Sequence, residues 1–257
     1  MSRRDELIKS YVSDVTKEKN VAAIALTGSA GRGDYDQHSD VDVVVFLTGP
    51  SRSVKDGKFI FNELLFDVRI SDLGCLKKAD WSQDMFFAYL TSRVAYDRDG
   101  EIGKLIESKK SLWREKVTSL LCISLVNLSV IFEFDDNWRG LKAHTHYQKF
   151  IRRGDIKSAH QLLNRGFDLI LDCVYLLNRS PIPDYKNKVR CLKGLDWLPN
   201  QLELLIEEGL LVKSFLPKDA ERRHSILKKY LNEIRNQCDL NFELPSNIYR
   251  YYLDNRD

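Results

Sequence analysis

Asp40 and Asp42 flank Val41 at the head of the apolar run Val41–Leu47. Residues i and i+2 of a strand point to the same face, so two carboxylates converge beside buried valines. Adjacent anions in that setting are costly unless a cation offsets them. A hard divalent ion such as Mg²⁺, held by carboxylate oxygens and substrate phosphates, does so. Taken alone, the pair also describes a strand-start turn with solvated acids. It has company, however. Ser29 lies eleven residues before Asp40, in the segment Thr27-Gly28-Ser29-Ala30-Gly31-Arg32-Gly33. Gly28 permits close backbone approach, and the amides after Ser29, at a helix N-terminus, suit an anionic phosphate. The Ser29 hydroxyl and the Arg32 guanidinium are placed to contact the same anion. The segment is neither G-x-G-x-x-G nor G-x-x-x-x-G-K-[ST], so dinucleotide and P-loop readings lack their fingerprints. Its plain alternative is an ordinary Gly/Ser turn. A third acid, Asp67, sits between Phe66 and Val68 in the apolar run Leu64–Ile70. Its partner is either Arg69, two residues on and on the same face, or the cation site. The three elements together favour the cation site.

The surrounding pattern supplies the elements that must hold these residues. Leu7, Ile8, Tyr11, Val12 and Val15 recur at helical spacing and predict an opening helix over 3–18. Val21–Leu26 and Val41–Leu47 read as buried strands. Phe59–Glu63 and Leu64–Ile70 read as two more with a bend between them, and Ser71-Asp72 as the cap of a short helix. Val94–Tyr96 reads as an edge strand. Beyond about residue 100 the texture becomes helical, with expected helices near 102–115, 113–133, 138–152, 156–178, 199–213 and 219–237. Ser180-Pro181-Ile182-Pro183 separates the fourth of these from the fifth. Strands first and helices afterwards predict an α+β chain, with an N-terminal mixed sheet over 1–105 and an all-α bundle over 106–257.

The 257 residues are 43% hydrophobic and 30% charged, which excludes a largely disordered chain. Forty Lys+Arg against 37 Asp+Glu leave a formal charge of +3, too little for a purely electrostatic nucleic-acid binder. The five scattered cysteines include no C-x-x-C pair and predict reduced thiols in a cytoplasmic protein. The N-terminus shows no apolar signal region. Val117–Phe132 is uncharged but shorter than the ~20 residues of a membrane span, and is expected to be a buried helix.

With a Gly-Ser turn, a D-x-D on the next strand and a third carboxylate on a later strand, the chain resembles the nucleotidyltransferase superfamily of the polymerase beta type. Gly28-Ser29, Asp40-x-Asp42 and Asp67 match its three elements in order. More narrowly it looks like the bacterial aminoglycoside nucleotidyltransferases, which join such a domain to a helical bundle. The motif match covers about residues 20–70; over the bundle it rests on architecture and a loose Pro-Asp/Lys-rich segment. The resemblance implies that residues 1–105 form the catalytic domain and 106–257 a substrate-binding domain. It further implies two Mg²⁺ ions bridging Asp40, Asp42 and Asp67 to a nucleoside triphosphate. An acceptor hydroxyl would attack the α-phosphorus in line, with pyrophosphate leaving and Asp67 able to take the proton. AMP is the expected group transferred and a small molecule such as an aminoglycoside the expected acceptor; polynucleotide and protein acceptors are disfavoured. A lysine reaching the nucleotide phosphates is implied within Asp184-Tyr185-Lys186-Asn187-Lys188, either Lys186 or Lys188, with a solvated loop as the alternative. The reading that competes from another class is a nucleotide-binding or protein-interaction module with lost catalysis.

Other side chains carry less. Glu133, beside Asp135 and Asp136, is a candidate additional base, though a solvated helix end explains it as well. His144 and His146 at i and i+2 point apart on a helix and chelate poorly. Arg139, Arg152, Arg153 and Arg165 fit either an acceptor cleft or an ordinary charged helix face. Phe86, Phe87, Tyr89, Trp113, Trp138 and Trp197 are expected in the core.

Overall fold

The computed structural model of the chain describes residues 2–51, 53–132 and 145–242. Two compact units divide it between Trp113 and Arg114. The first contains α1 (Arg3–Val15), β1 (Val21–Leu26), α2 (Gly28–Arg32), β2 (Val41–Leu47), β3 (Gly57–Phe61), β4 (Leu64–Asp72), α3 (Leu73–Lys78), α4 (Gln83–Leu90) and β5 (Arg93–Asp97). It also holds the start of α5 (Glu101–Phe132). The second contains the rest of α5, then α6 (His146–Arg152), α7 (Ile156–Leu177), a 3₁₀ turn at Arg190–Gly194, α8 (Leu202–Leu210) and α9 (Pro217–Asn241). This is the expected α+β arrangement of a mixed sheet followed by helices.

The sheet runs β3-β4-β2-β1-β5. Only β2 and β4 are parallel; the other three pairings are antiparallel. All six residues of β1 are buried, as continuous apolar runs in central strands are. β3 and β4 form a hairpin over Asn62 and Glu63, both with positive φ (44° and 73°), the twist-compatible turn for a two-residue loop. The turn therefore sits after Phe61, two residues earlier than the expected bend. The helix α1 starts at a capping box in which Ser2 and Asp5 satisfy each other's backbone amides. Its Tyr11 packs 4.5 Å from Phe66 and edge-on to Phe61 at 5.4 Å. Ile8, Tyr11, Ile24, Val43, Phe66 and Val68 form the centre of this core. Each such burial is worth roughly 1.5–3 kcal/mol.

The helical unit has its own core. On α7, Gly166 faces the Phe132 ring so closely that a Cβ there would lie 2.7 Å from Cζ. Arg235 of α9 donates to Ser129 Oγ of α5 at 3.0 Å. Arg223, fully buried on α9, donates to Gly209 O, to Asn164 Oδ1 and to His160 Nδ1 at 2.8, 2.5 and 2.9 Å. His224 stacks on Tyr147 with ring centroids 4.2 Å apart.

Three further expectations differ from what is observed. The helices expected over 102–115 and 113–133 are one continuous helix, α5, because neither glycine nor proline interrupts Lys104–Phe132. Among the described residues α5 alone is long and apolar enough to cross a membrane, and half of its most apolar stretch is buried within the protein. The helix α4, absent from the expected elements, is capped by Ser82 and buries Phe86, Phe87 and Tyr89. Of the expected helix over 138–152, the described part is α6, which begins after a capping box between Thr145 and Gln148. Glu133, Asp135, Asp136, Trp138, Arg139 and His144 lie outside the described residues.

Candidate active site

The parallel pairing of β2 with β4 sets Asp42 directly opposite Asp67. Asp40 precedes Asp42 by two residues and shares its face. Asp40, Asp42 and Asp67, all half-buried, each bring an oxygen within 4.8 Å of the other two. The three carboxylates expected from sequence to converge are thus together. Two unit charges at 4.8 Å repel by about 1 kcal/mol in bulk water and about 3.5 kcal/mol at an effective dielectric of 20. Asp42 registers the strain: burial first, then the charges of Asp40 and Asp67, push its carboxyl above the usual carboxylate range. Lys58 and Arg32 oppose that shift without cancelling it. An all-oxygen donor set with surplus negative charge fits a hard divalent cation.

The turn after β1 is built around these acids. The Gly28 backbone passes so close to Asp42 that a Cβ there would meet Oδ2 at 2.0 Å, and its φ of +55° is left-handed. Thr27 N–H donates to Asp42 O at 3.0 Å, tying the turn to β2. Ser29 is half-buried on α2, which closes on the left-handed Gly33. Arg32 pairs with Asp34 at 3.3 Å, and its guanidinium lies 5.4 Å from the Phe87 ring centroid. On the other side, Arg4 of α1 donates to Ser39 O and Asp40 O, both at 2.8 Å. Within the same loop, Asp36 accepts from His38 N–H and the Ser39 hydroxyl at 2.9 and 3.1 Å. The approach to Asp40 is therefore fixed from outside and from within.

Sequence reasoning missed Lys58. It lies on β3 directly opposite Asp67, and its ammonium sits 3.0 Å from Asp40 Oδ2 and 3.3 Å from Asp67 Oδ2. A lone lysine on an edge strand reads as a guard against aggregation. The signal that would have found it is the β3–β4 register, counted back from the Asn62-Glu63 turn. Arg4 was missed for a similar reason, since its bonds go to backbone carbonyls 35 and 36 residues away in the chain.

Lys186 and Lys188 belong to the helical unit. Lys186 is exposed, with its ammonium 5.9 Å from the Tyr185 ring centroid. Lys188 is buried, and its ammonium lies 2.5 Å from Asp168 and 2.6 Å from Asp172 on α7. Arg152, Arg153 and Arg165 are exposed, Arg165 pairing with Asp168 at 3.0 Å. Phe86 and Trp113 lie in the core, 5.2 Å apart.

No curated protein matches this chain. Among solved structures, it is similar to a nucleotidyltransferase-like protein from Exiguobacterium sibiricum 255-15, with 11% identity and a TM-score of 0.46 over 91% of this chain and 76% of that one. The sequence match is local to the site just described: residues 8–96 match the family model of the nucleotidyltransferase domain, and they include β1 to β4 with Gly28, Ser29, Asp40, Asp42 and Asp67. Residues 8–96 of the N-terminal unit thus match a nucleotidyltransferase domain, and the acidic site lies within them.

Proposed function

We propose that the protein moves a nucleoside monophosphate, AMP by first choice, from a nucleoside triphosphate to a hydroxyl of a small acceptor, an aminoglycoside being one fitting compound, with release of pyrophosphate. The observation that carries this reading is the convergence of Asp40, Asp42 and Asp67 within 4.8 Å. These three would hold divalent cations, and the resemblance to the family implies two Mg²⁺ ions. When bound, such ions polarise the α-phosphoryl group and neutralise the leaving pyrophosphate.

The chain's own residues account for the remainder. Gly28 lets the backbone lie against Asp42, so a phosphate beside the turn is held by main-chain amides and by the Ser29 hydroxyl. Arg32, half-buried at the end of α2, is near enough to oppose the upward shift of Asp42 and adds positive charge there. The acceptor hydroxyl attacks phosphorus in line as the bridging oxygen to pyrophosphate leaves, and its proton passes to a carboxylate oxygen of Asp67. Asp67 is 37% exposed, so an acceptor has access to it. In the helical unit Lys186 is exposed, whereas Lys188 is already neutralised by two carboxylates, so Lys186 is the better candidate for a phosphate contact. We assign residues 1–105 the chemistry and 106–257 the acceptor's recognition, in a cytoplasmic protein.

The test is to incubate the protein with labelled nucleoside triphosphates, Mg²⁺ and a panel of hydroxyl compounds, and to look for a nucleotidylated product. Asp40→Asn and Asp67→Asn are each expected to lower turnover by orders of magnitude with an unchanged melting temperature to within a few degrees. Wild-type turnover in either variant sinks the assigned roles. Nucleotide binding without turnover on any acceptor class would point instead to a module with lost catalysis.

A further inference from the structure

Across β3, β4 and β2 the register sets Lys58, Asp67 and Asp42 in one row of cross-strand neighbours. Asp40 closes the row on the same face, and the Lys58 ammonium bridges it to Asp67. The lysine is therefore bound to two of the three carboxylates that the proposed metal would need. Its side chain is 59% exposed and carries four rotatable methylenes, so it can withdraw without disturbing the core.

We propose that Lys58 is a built-in competitor for the metal: it occupies the acidic site as an internal cation, and a divalent ion must displace it to engage Asp40 and Asp67. This rests on the metal-dependent reading above and deepens it. A protein without such a lysine would hold three like charges within 4.8 Å whenever metal was scarce. Here one covalently attached charge offsets part of that repulsion at no concentration cost, and metal affinity is lowered by the strength of the two ion pairs. Exposed pairs are weak, so the expected handicap is modest, about three- to tenfold in metal affinity for two of them.

The direct test measures Mn²⁺ binding, by calorimetry and by the loss of the free-ion electron paramagnetic resonance signal, to the full chain without nucleotide. Lys58→Met is expected to bind Mn²⁺ three to ten times more tightly than wild type. Lys58→Arg, which keeps the charge, should stay within about twofold. The melting temperatures of both variants without metal serve as the fold check, and Lys58→Met should be the less stable of the two through unrelieved repulsion. Unchanged or weaker Mn²⁺ binding in Lys58→Met, with wild type binding normally, overturns the competitor role alone. Failure of both wild type and Lys58→Met to bind Mn²⁺ overturns this inference together with the metal-dependent reading beneath it. An equal gain of affinity in Lys58→Arg also counts against it, since the charge would then be irrelevant.

Discussion

Replacing Gly28 by alanine tests whether the turn after β1 is shaped by the acids it faces. Gly28 has φ +55°, and an added Cβ would lie 2.0 Å from Asp42 Oδ2 and 2.9 Å from Cγ. No rearrangement of a methyl group relieves that contact, so the carboxylate has to leave its position. Gly33 supplies the control: its φ is +81°, yet nothing lies within 4 Å of the Cβ it would gain. Gly33→Ala thus carries only the left-handed backbone cost, about 1–2 kcal/mol. For a chain of this size that lowers the melting temperature by about 2–8 °C. Gly28→Ala adds an off-rotamer Asp42, about 0.5–1.5 kcal/mol more, and pulls one oxygen ligand out of the cluster. We expect Mn²⁺ to bind Gly28→Ala at least tenfold more weakly, and Gly33→Ala as wild type. In an Asp42→Ala background the excess cost of Gly28→Ala over Gly33→Ala should shrink toward zero, because the clashing oxygens are gone. Paired thermal melts and Mn²⁺ titrations read both quantities. If Gly28→Ala melts like Gly33→Ala and binds Mn²⁺ like wild type, the steric link between turn and acid is refuted.

Two further outcomes concern the helical unit. Burial, with Lys228 adding to it, depresses the His224 imidazole to about 4, so the folded chain keeps it neutral while the unfolded chain takes up a proton near pH 6.5. Its contribution is complete above that pH and is lost as pH falls toward 4; between pH 7 and 5 urea denaturation should show about 1–2 kcal/mol less loss in His224→Phe than in wild type, after allowance for partial exposure. An identical pH dependence in the two proteins would count against the burial of that ring. Arg223→Met should cost about 2–4 kcal/mol, because it strands His160 Nδ1 and Gly209 O in the interior and removes the part-buried bond to Asn164 Oδ1. A loss below about 1 kcal/mol by the same method would mean that the network is dispensable.

The N-terminal unit is legible wherever local signals agree. Val21–Leu26 and Val41–Leu47 are short apolar runs bounded by turn residues, and both are strands over those same residues. The convergence of Asp40, Asp42 and Asp67 follows from side-chain alternation once the two strands are placed. The row that includes Lys58 is not legible, since it depends on an antiparallel register that residue types leave unspecified. The hairpin turn escapes a reading by residue type because Glu63 occupies a left-handed position where glycine would have announced it. The helices expected over 102–115 and 113–133 run together as α5, since no residue between Lys104 and Phe132 breaks a helix. The Thr145-x-x-Gln148 capping box, by contrast, is present in the sequence and marks the start of α6.

The parallel ladder between β2 and β4 separates distance from connectivity. Neighbouring strands stand about 4.8 Å apart whatever lies between them in the chain, so the gap between Asp42 and Asp67 is inherited from backbone pairing. In the connection that leads from β2 toward the hairpin, Val54 packs into the core and Asp56 Oδ1 accepts from Ile70 N–H of β4 at 3.0 Å. Length there can drift while the reactive geometry stays constant, and grafts that keep Val54 and Asp56 in place should leave catalysis untouched.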